Sequence, residues 1–538
     1  MWKENIMKKR VIALGMSLAL AGTLAAGCGS TSGSGSSAGT SASSAAASET
    51  SAASEASSAA QESSGKTRPT TSGQTDNTLT TSYSGQVDTI DPELFTKQDE
   101  DTVLSQVYEP LFLYNNEGKL DPYVAESWTE NDDGSVDFTL RDITFHSGDK
   151  LTSEDVAYTF SRTENSPVGS ALYGNVDINV KDDTHFTMTF ENGNTFEDLA
   201  GYIQAMGIVN KSYCETVISD PNEDLVFNED GSGPYIFSGI ADNGDITLTK
   251  YDGYWGDVSI DTLYFKHLTG SAEVAFESGD LDVAAYSATN FPTITAYDNV
   301  EGYSQPLNRI YFFILKSSDD GKFADIRTRQ AFAYAMNHQD VVDIASDASG
   351  TIAYNLATPL TQYYTDNAEH YNQDLDKATE LLEEAGYSDS NKLSFTVIAN
   401  GSSNEAVAAC EVLKEELEQT HFEVNIEEIS DSTRIYSGDF DAAFNSIGLL
   451  PSYKSYRLLF DMNSGLDFAQ INDQSILDAF NAISDEASAQ NAMKVSTESL
   501  AYVPLYYPST FLVYDSNLNV GEYNTSLSCY LFHEFSWK

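Results

Sequence analysis

Three dipeptides, Asp133-Gly134, Asn192-Gly193 and Asn243-Gly244, each sit beside a run in which apolar and polar residues alternate. The runs are Val136, Phe138, Leu140, then Phe186, Met188, Phe190, then Ile246, Leu248. Asp-Gly and Asn-Gly accept the positive φ that a two-residue hairpin turn needs, and a period of two marks a half-buried strand. The first half of the chain is therefore expected to be rich in antiparallel strands. The second half changes period. Ala378, Leu381, Leu382 and Ala385 follow the i, i+3, i+4, i+7 spacing of a helix stopped by Gly386, and Ala406, Cys410, Leu413 and Leu417 make a second such face. Strands over residues 393–398 and 422–426 lie between and after them, which predicts an α/β lobe.

At 538 residues the chain is too long for one ordinary core, and about one domain per ~150 residues suggests three. Its start reads as a targeting signal instead of structure. Lys8, Lys9 and Arg10 are basic, residues 11–24 are apolar but short for a bilayer, and Ala25-Ala26-Gly27-Cys28 is a small-residue cleavage site. This resembles a bacterial lipobox, which implies that residues 1–28 are a lipoprotein signal and that Cys28 becomes the lipidated first residue. The usual aliphatic residue three before the cysteine is Ala25 here, with Leu24 one place earlier. Residues 29–77 are almost wholly Ser, Ala, Gly and Thr, can bury little, and are expected to form a flexible tether. Within them Gly35-Ser36-Ser37-Ala38-Gly39 matches the hydrolase elbow GxSxG, but a tether supplies no strand-to-helix turn. The fold is expected to begin near Thr78.

The 28 Lys+Arg against 82 Asp+Glu give a formal net charge of −54. No basic face for phosphate can be assembled from that balance, so nucleic acid is excluded as a partner. The 31 Tyr and 27 Phe suit strands and a ligand-lined cleft. The seven histidines show no HxxxH spacing and the cysteines no CxxC pair, so no metal site or cofactor is expected; in so acidic a chain counting leaves paired catalytic carboxylates open, but no spacing singles out a pair, and no catalytic residue is named. His146, in the sequence FHSG, reads as a packed structural histidine. Of Cys214, Cys410 and Cys529, two could pair outside the cell; Cys410, on an apolar helix face, reads as buried.

Residues 105–158 order a helix end, a two-stranded turn and a new helix. Tyr108-Glu109-Pro110-Leu111, Glu126-Ser127-Trp128, Phe145, His146 and Gly148, and Leu151-Thr152 with Glu154-Asp155-Val156 follow in that order. Together they closely resemble the opening module of the extracytoplasmic solute-binding proteins of the peptide/nickel class, the dipeptide- and oligopeptide-binding family that serves ABC importers. Further matches are Gly231, Gly233, Pro234 and Tyr235, then Tyr254-Trp255-Gly256, and the DxRxRQA helix from Asp325 to about Met336, whose Arg327 and Arg329 read as structural ion-pair partners. Residues 438–444, GDFDAAF, are similar to the strand leading into the family's ligand-specific loop, and residues 501–509 to its return segment.

The resemblance implies an α/β, two-lobed periplasmic-binding-protein-like fold with a hinge and an extra β-rich domain. The first lobe would combine residues 78–108, 228–312 and 505–538, the extra domain residues 109–227, and the second lobe residues 313–504. It further implies a monomer tethered to the outer face of the bacterial cell membrane by its lipid anchor, passing peptide or another small solute to ABC permease subunits. The ligand-binding candidates are Tyr108, Glu109, Pro110, Tyr286, Asn445, Tyr453, Lys454 and Arg457. In peptide-binding relatives an aspartate of the specific loop receives the ligand's ammonium, yet residues 445–460 contain no carboxylate. Lys454 and Arg457 in that loop point to an anionic ligand if they face inward, and only to an acidic surface if they face solvent. Nickel chelates, a sensing receptor of the same fold and an extracellular hydrolase are the alternatives.

Overall fold

The computed structural model describes residues 65–538, apart from residues 217–229 and loop positions 86, 96, 165, 167, 170–171, 347–348, 402, 431–432, 449–452 and 463–466. Cys28, the leader and the stretch to residue 64 lie outside the described residues.

The first lobe is built on a four-stranded sheet in the order Thr78–Tyr83, Thr262–His267, Ile246–Lys250, Tyr235–Ile240. Thr78–Tyr83 runs parallel to Thr262–His267, so this lobe closes only after the chain has made a long excursion. The excursion carries a second antiparallel sheet, Ala125–Glu130, Val136–Leu140, His185–Phe190 and Val176–Val180. Gly134 (φ 84°) and Gly244 (φ 94°) turn the two hairpins expected of them. Asn192-Gly193 does not. Both residues adopt positive φ, but they lead from His185–Phe190 into the helix Phe196–Ile203. The hairpin closes instead at residues 181–184, where the Asp182 carboxylate accepts from Thr184 N and His185 N, each at 2.9 Å. An aspartate that mimics a backbone turn competes successfully with the dipeptide.

The extra sheet is not an independent core. Val136, Phe138, Phe186 and Met188 belong to one continuous cluster with Leu79, Phe265 and Phe532 of the first lobe. The fold also begins earlier than residue 78. The Arg68 guanidinium is buried, lies 3.8 Å from the Phe276 ring, and donates to Phe276 O and Leu281 O. Residues 65–77 are thus tied to the fold while mostly exposed, with Arg68 and Gly73 buried, because one arginine in the low-complexity stretch meets carbonyls and the Asp515 carboxylate (3.7 Å).

The second lobe is a six-stranded sheet: Thr351–Ile352, Tyr502–Tyr507, Arg309–Leu315, Ala442–Gly448, Leu393–Asn400, Phe422–Ile429. Every residue of the central strand Arg309–Leu315 is buried, as expected of a sheet covered on both faces. Phe313, Phe332 and Leu413 pack one face, and Ile310, Phe312 and Tyr502 the other. Asp325 caps the helix Ile326–Ala335 by accepting from Arg327 N at 2.9 Å, and Arg327 Nε returns to the same carboxylate at 3.1 Å. Arg329 donates to the Phe323 and Ser499 carbonyls. Both arginines therefore hold the fold.

Two adjacent strands join the lobes. Val300–Pro306 pairs antiparallel with Ser509–Asp515, ending at Pro306↔Ser509. Their continuations, Arg309–Leu315 and Tyr502–Tyr507, pair again from Tyr311↔Tyr506. The hinge falls at Leu307-Asn308 and Pro508, where Leu307 N donates to Pro508 O at 2.9 Å. Residues 309–312 and 505–507 accordingly belong to the second lobe, a few residues from the expected boundaries, because sheet pairing and not motif ends decides membership.

Candidate functional site

The helix Gln98–Val107 and its exit segment organise the site. Glu100 and the backbone of Lys97 close a reciprocal cap at its start. Gln98, Asp101, Ser105 and Tyr108 then fall at spacings of three and four, and all face one cavity. Gly231 and Gly233 let the chain pass against the end of this helix: a Cβ on Gly231 would lie 2.0 Å from Val107 O. His146 secures the same corner, its N donating to Gly231 O at 2.8 Å and its Nε2 meeting Gly233 O at 3.0 Å. The FHSG and GSGPY motifs thus set the position of Tyr108, and Pro234 of the second motif itself reaches the cavity wall.

The empty space of the cavity, counted together with the open solvent at its mouth, is about 1340 Å³. Its walls come from Tyr108, Glu109 and Pro110, from the end of the helix Phe196–Ile203 with Tyr202, and from residues 525–533 near the C-terminus. Asn308 of the hinge and Gly448 of the second lobe complete it. The lobes meet beside it, where the helices Tyr453–Tyr456 and Phe196–Ile203 approach within 8 Å between Cα atoms. No Lys or Arg is among the described lining residues.

Glu109 is 2% exposed. Tyr254 Oη donates to its Oε1 at 2.7 Å, and Trp255 Nε1 donates to both oxygens at 3.0 and 2.9 Å. Arg141 stacks 4.1 Å above the Trp255 ring. Burial pushes the Glu109 carboxyl up to about 7, opposed by the bonds from Trp255 and Tyr254 and by the Arg141 charge. Burial also raises Asp101 to about 7 and lowers His533, on the cavity floor, to about 4, so that imidazole is neutral at physiological pH.

Tyr108, Glu109 and Pro110 are brought together in the cavity wall; Tyr286, Asn445, Tyr453 and Arg457 are not among its described lining residues. Tyr286 is 7% exposed and packs in a separate small cluster with Phe276, its hydroxyl donating to Glu277 Oε1 at 3.0 Å. The cause is its strand, which pairs with Ser509–Asp515 and draws Tyr286 N to Phe511 O, away from the cleft. Asn445 is half-buried opposite Phe312, and Tyr453 is buried against Tyr456 and Tyr363. Arg457 donates to Asp461 Oδ2 at 2.8 Å. Its charge is paired with the carboxylate four residues on, just past the stretch that lacks one. The Lys454 side chain lies outside the described residues. Asp101, Tyr202 and residues 525–533 were not anticipated. Asp101 had a readable signal in its helical spacing with Ser105 and Tyr108; the C-terminal segment had none, because it reaches the cavity only through tertiary folding.

Among the described residues no three His, Cys, Asp or Glu side chains group as a metal site. Cys410 and Cys529 are buried free thiols, and Cys214 is buried as well. None of the described helices is long and apolar enough to cross a membrane.

Residues 119–462, more than half of the chain, match the family described as bacterial extracellular solute-binding proteins, family 5 Middle. The chain belongs to this family. Among its relatives, the oligopeptide-binding protein AppA of Bacillus subtilis (strain 168) is 25% identical over 464 residues, 78% of this chain and 84% of that protein. The nickel-binding periplasmic protein of Escherichia coli (strain K12) is 25% identical over 325 residues, 57% of this chain and 61% of its own length. The solved structure of Bacillus subtilis AppA in complex with a nonapeptide superimposes with a TM-score of 0.71 at 21% identity, covering 88% of this chain and all of that one. The two-lobed α/β fold is thus that of the family.

Proposed function

We propose that this protein captures peptides in the cavity between its lobes and presents them to the permease of an ABC importer, held to the outer face of the membrane by a lipid on Cys28. The observation that carries the reading is the cavity itself. It lies where first lobe, hinge and second lobe converge, and its walls combine tyrosines and apolar side chains with few charges. Sites of that composition bury a ligand's apolar area and orient it with a small number of polar groups. Tyr108, Pro110, Tyr202 and Tyr254 give contact area, and Glu109 locks Tyr254 and Trp255 in place. Closure of the lobes buries the ligand, so affinity follows the ligand's preference for the closed form.

The lack of Lys and Arg among the described lining residues disfavours an anionic chelate as the ligand. The family consists of binding proteins, and we assign this chain no catalysis. We further propose that it acts as a monomer. The test is calorimetric titration of the purified full chain with trialanine, longer unmodified peptides and a nickel–histidine complex. Peptide binding at micromolar or better dissociation constants supports the reading. Binding of the nickel complex with no binding of any peptide overturns it.

A further inference from the structure

We infer that Asp101, in the first lobe, is the cavity's receptor for a ligand's primary ammonium group, and that the group it takes is a peptide's free amino terminus. This rests on the peptide reading above and goes beyond it by assigning the charged end of the ligand to one side chain.

Two carboxylates line the cavity, Asp101 and Glu109, with His533 but no described Lys or Arg. They differ in what already satisfies them. Glu109 accepts three hydrogen bonds from Tyr254 and Trp255 and is only 2% exposed. Asp101 is only half-buried and meets a single long contact, from Gln98 Nε2 at 3.4 Å. That amide is shared, since it also donates to Leu527 O at 3.3 Å and Ser528 O at 3.2 Å. A neutral donor spread over three acceptors does not compensate a carboxylate charge that faces a cavity. Such a group is costly unless a cation or several donors reach it.

The surroundings of Asp101 are also those an ammonium needs. An ammonium brings three N–H donors and one positive charge, and no acceptor. The Gln98 amide that reaches Asp101 also reaches the Leu527 and Ser528 carbonyls, and one helical turn on stands the Ser105 hydroxyl, which donates to Thr102 O and accepts from Gln106 Nε2, each at 3.1 Å. Ser105, Leu527 and Ser528 all line the cavity. The second lobe contributes Gly448 and the hinge Asn308 to the described lining, neither of them charged. Among described residues the negative charge open to a ligand is therefore on the first lobe.

The experiment is titration of the full chain with trialanine, N-acetyl-trialanine, an N-acetylated peptide containing lysine, and putrescine, in wild type and Asp101→Asn. For a buried, hydrogen-bonded charge pair, loss of one partner weakens binding by about thirtyfold or more. Wild type is expected to prefer trialanine over both acetylated peptides and putrescine by at least that factor. Asp101→Asn is expected to bind trialanine and N-acetyl-trialanine alike. Lysine peptide or putrescine bound as tightly as trialanine would overturn the assignment to the amino terminus. Equal wild-type affinity for the free and acetylated peptides overturns the inference with no variant needed, as does an Asp101→Asn variant that keeps the preference. Failure of wild type to bind any peptide would sink the functional reading itself, and is distinguishable from both.

Discussion

Replacing Glu109 by Gln tests whether burial or hydrogen bonding governs the carboxyl beside the cavity. The folded protein holds this group at about 7 against an ordinary value of 4.5. The native state thus keeps a proton that the unfolded chain releases, so stability falls as pH rises from about 4.5 to about 7 and is flat beyond. The difference of roughly 2.5 pH units corresponds to about 3 kcal/mol. Glutamine imitates the protonated acid, with one oxygen still able to accept from Tyr254 or Trp255, and it does not titrate. Urea unfolding at pH 4.5, 6, 7 and 8, followed by tryptophan fluorescence, is expected to show Glu109→Gln close to wild type at pH 4.5. At pH 8 it is expected to be more stable by about 3 kcal/mol. Asp101, Glu416 and Asp467, which burial also raises to about 7, add to the slope of both proteins and cancel in the difference. A variant whose stability falls increasingly below wild type as pH rises would refute the reasoning. It would mean that the two donors, Tyr254 Oη and Trp255 Nε1, at about 1.5–3 kcal/mol each toward a charged acceptor, outweigh desolvation.

Gly231→Ala is expected to destabilise the protein by about 3 kcal/mol or more, measured by denaturant unfolding, because its Cβ would stand 2.0 Å from a backbone oxygen that only a shift of the helix end can move. Arg68→Ala removes the partner of buried Asp515 along with two carbonyl contacts, and should cost about 3–5 kcal/mol in the same assay; an unchanged midpoint would return residues 65–77 to the tether. Arg457→Ala is expected to leave the trialanine dissociation constant within about twofold, as for a site that does not touch the ligand, since the guanidinium is committed to Asp461.

What could be read from the sequence was mostly local. Apolar periodicity located the helices Leu375–Glu384 and Asn404–Leu417, and the DxRxRQA motif located Ile326–Ala335, because each depends on neighbours within two turns. The motif around Tyr108 located one wall of the cavity. Tyr286 was misplaced because the face a strand residue adopts is set by its pairing with Ser509–Asp515, far along the chain. Asn192-Gly193 was misread because a turn dipeptide does not announce whether a strand or a helix follows it. The charge reading of residues 445–460 stopped one residue short of Asp461, whose proximity to Arg457 follows from helical spacing.

The joint between the lobes behaves as a torsion bar. Two ladders run into it, and between Pro306↔Ser509 and Tyr311↔Tyr506 the Leu307–Pro508 bond is the rung the backbone supplies. Proline has no N–H, so the reciprocal rung cannot form there. Twisting one lobe against the other therefore strains a few backbone torsions and at most one hydrogen bond, about 1 kcal/mol. Such a compliant linkage stores little energy in either direction, and the balance between gaping and shut forms is left to the cleft faces and whatever lies between them. Asn308 occupies the joint and the cavity wall at once, with its Oδ1 accepting from the Thr358 hydroxyl. A ligand that leans on Asn308 loads the bar directly.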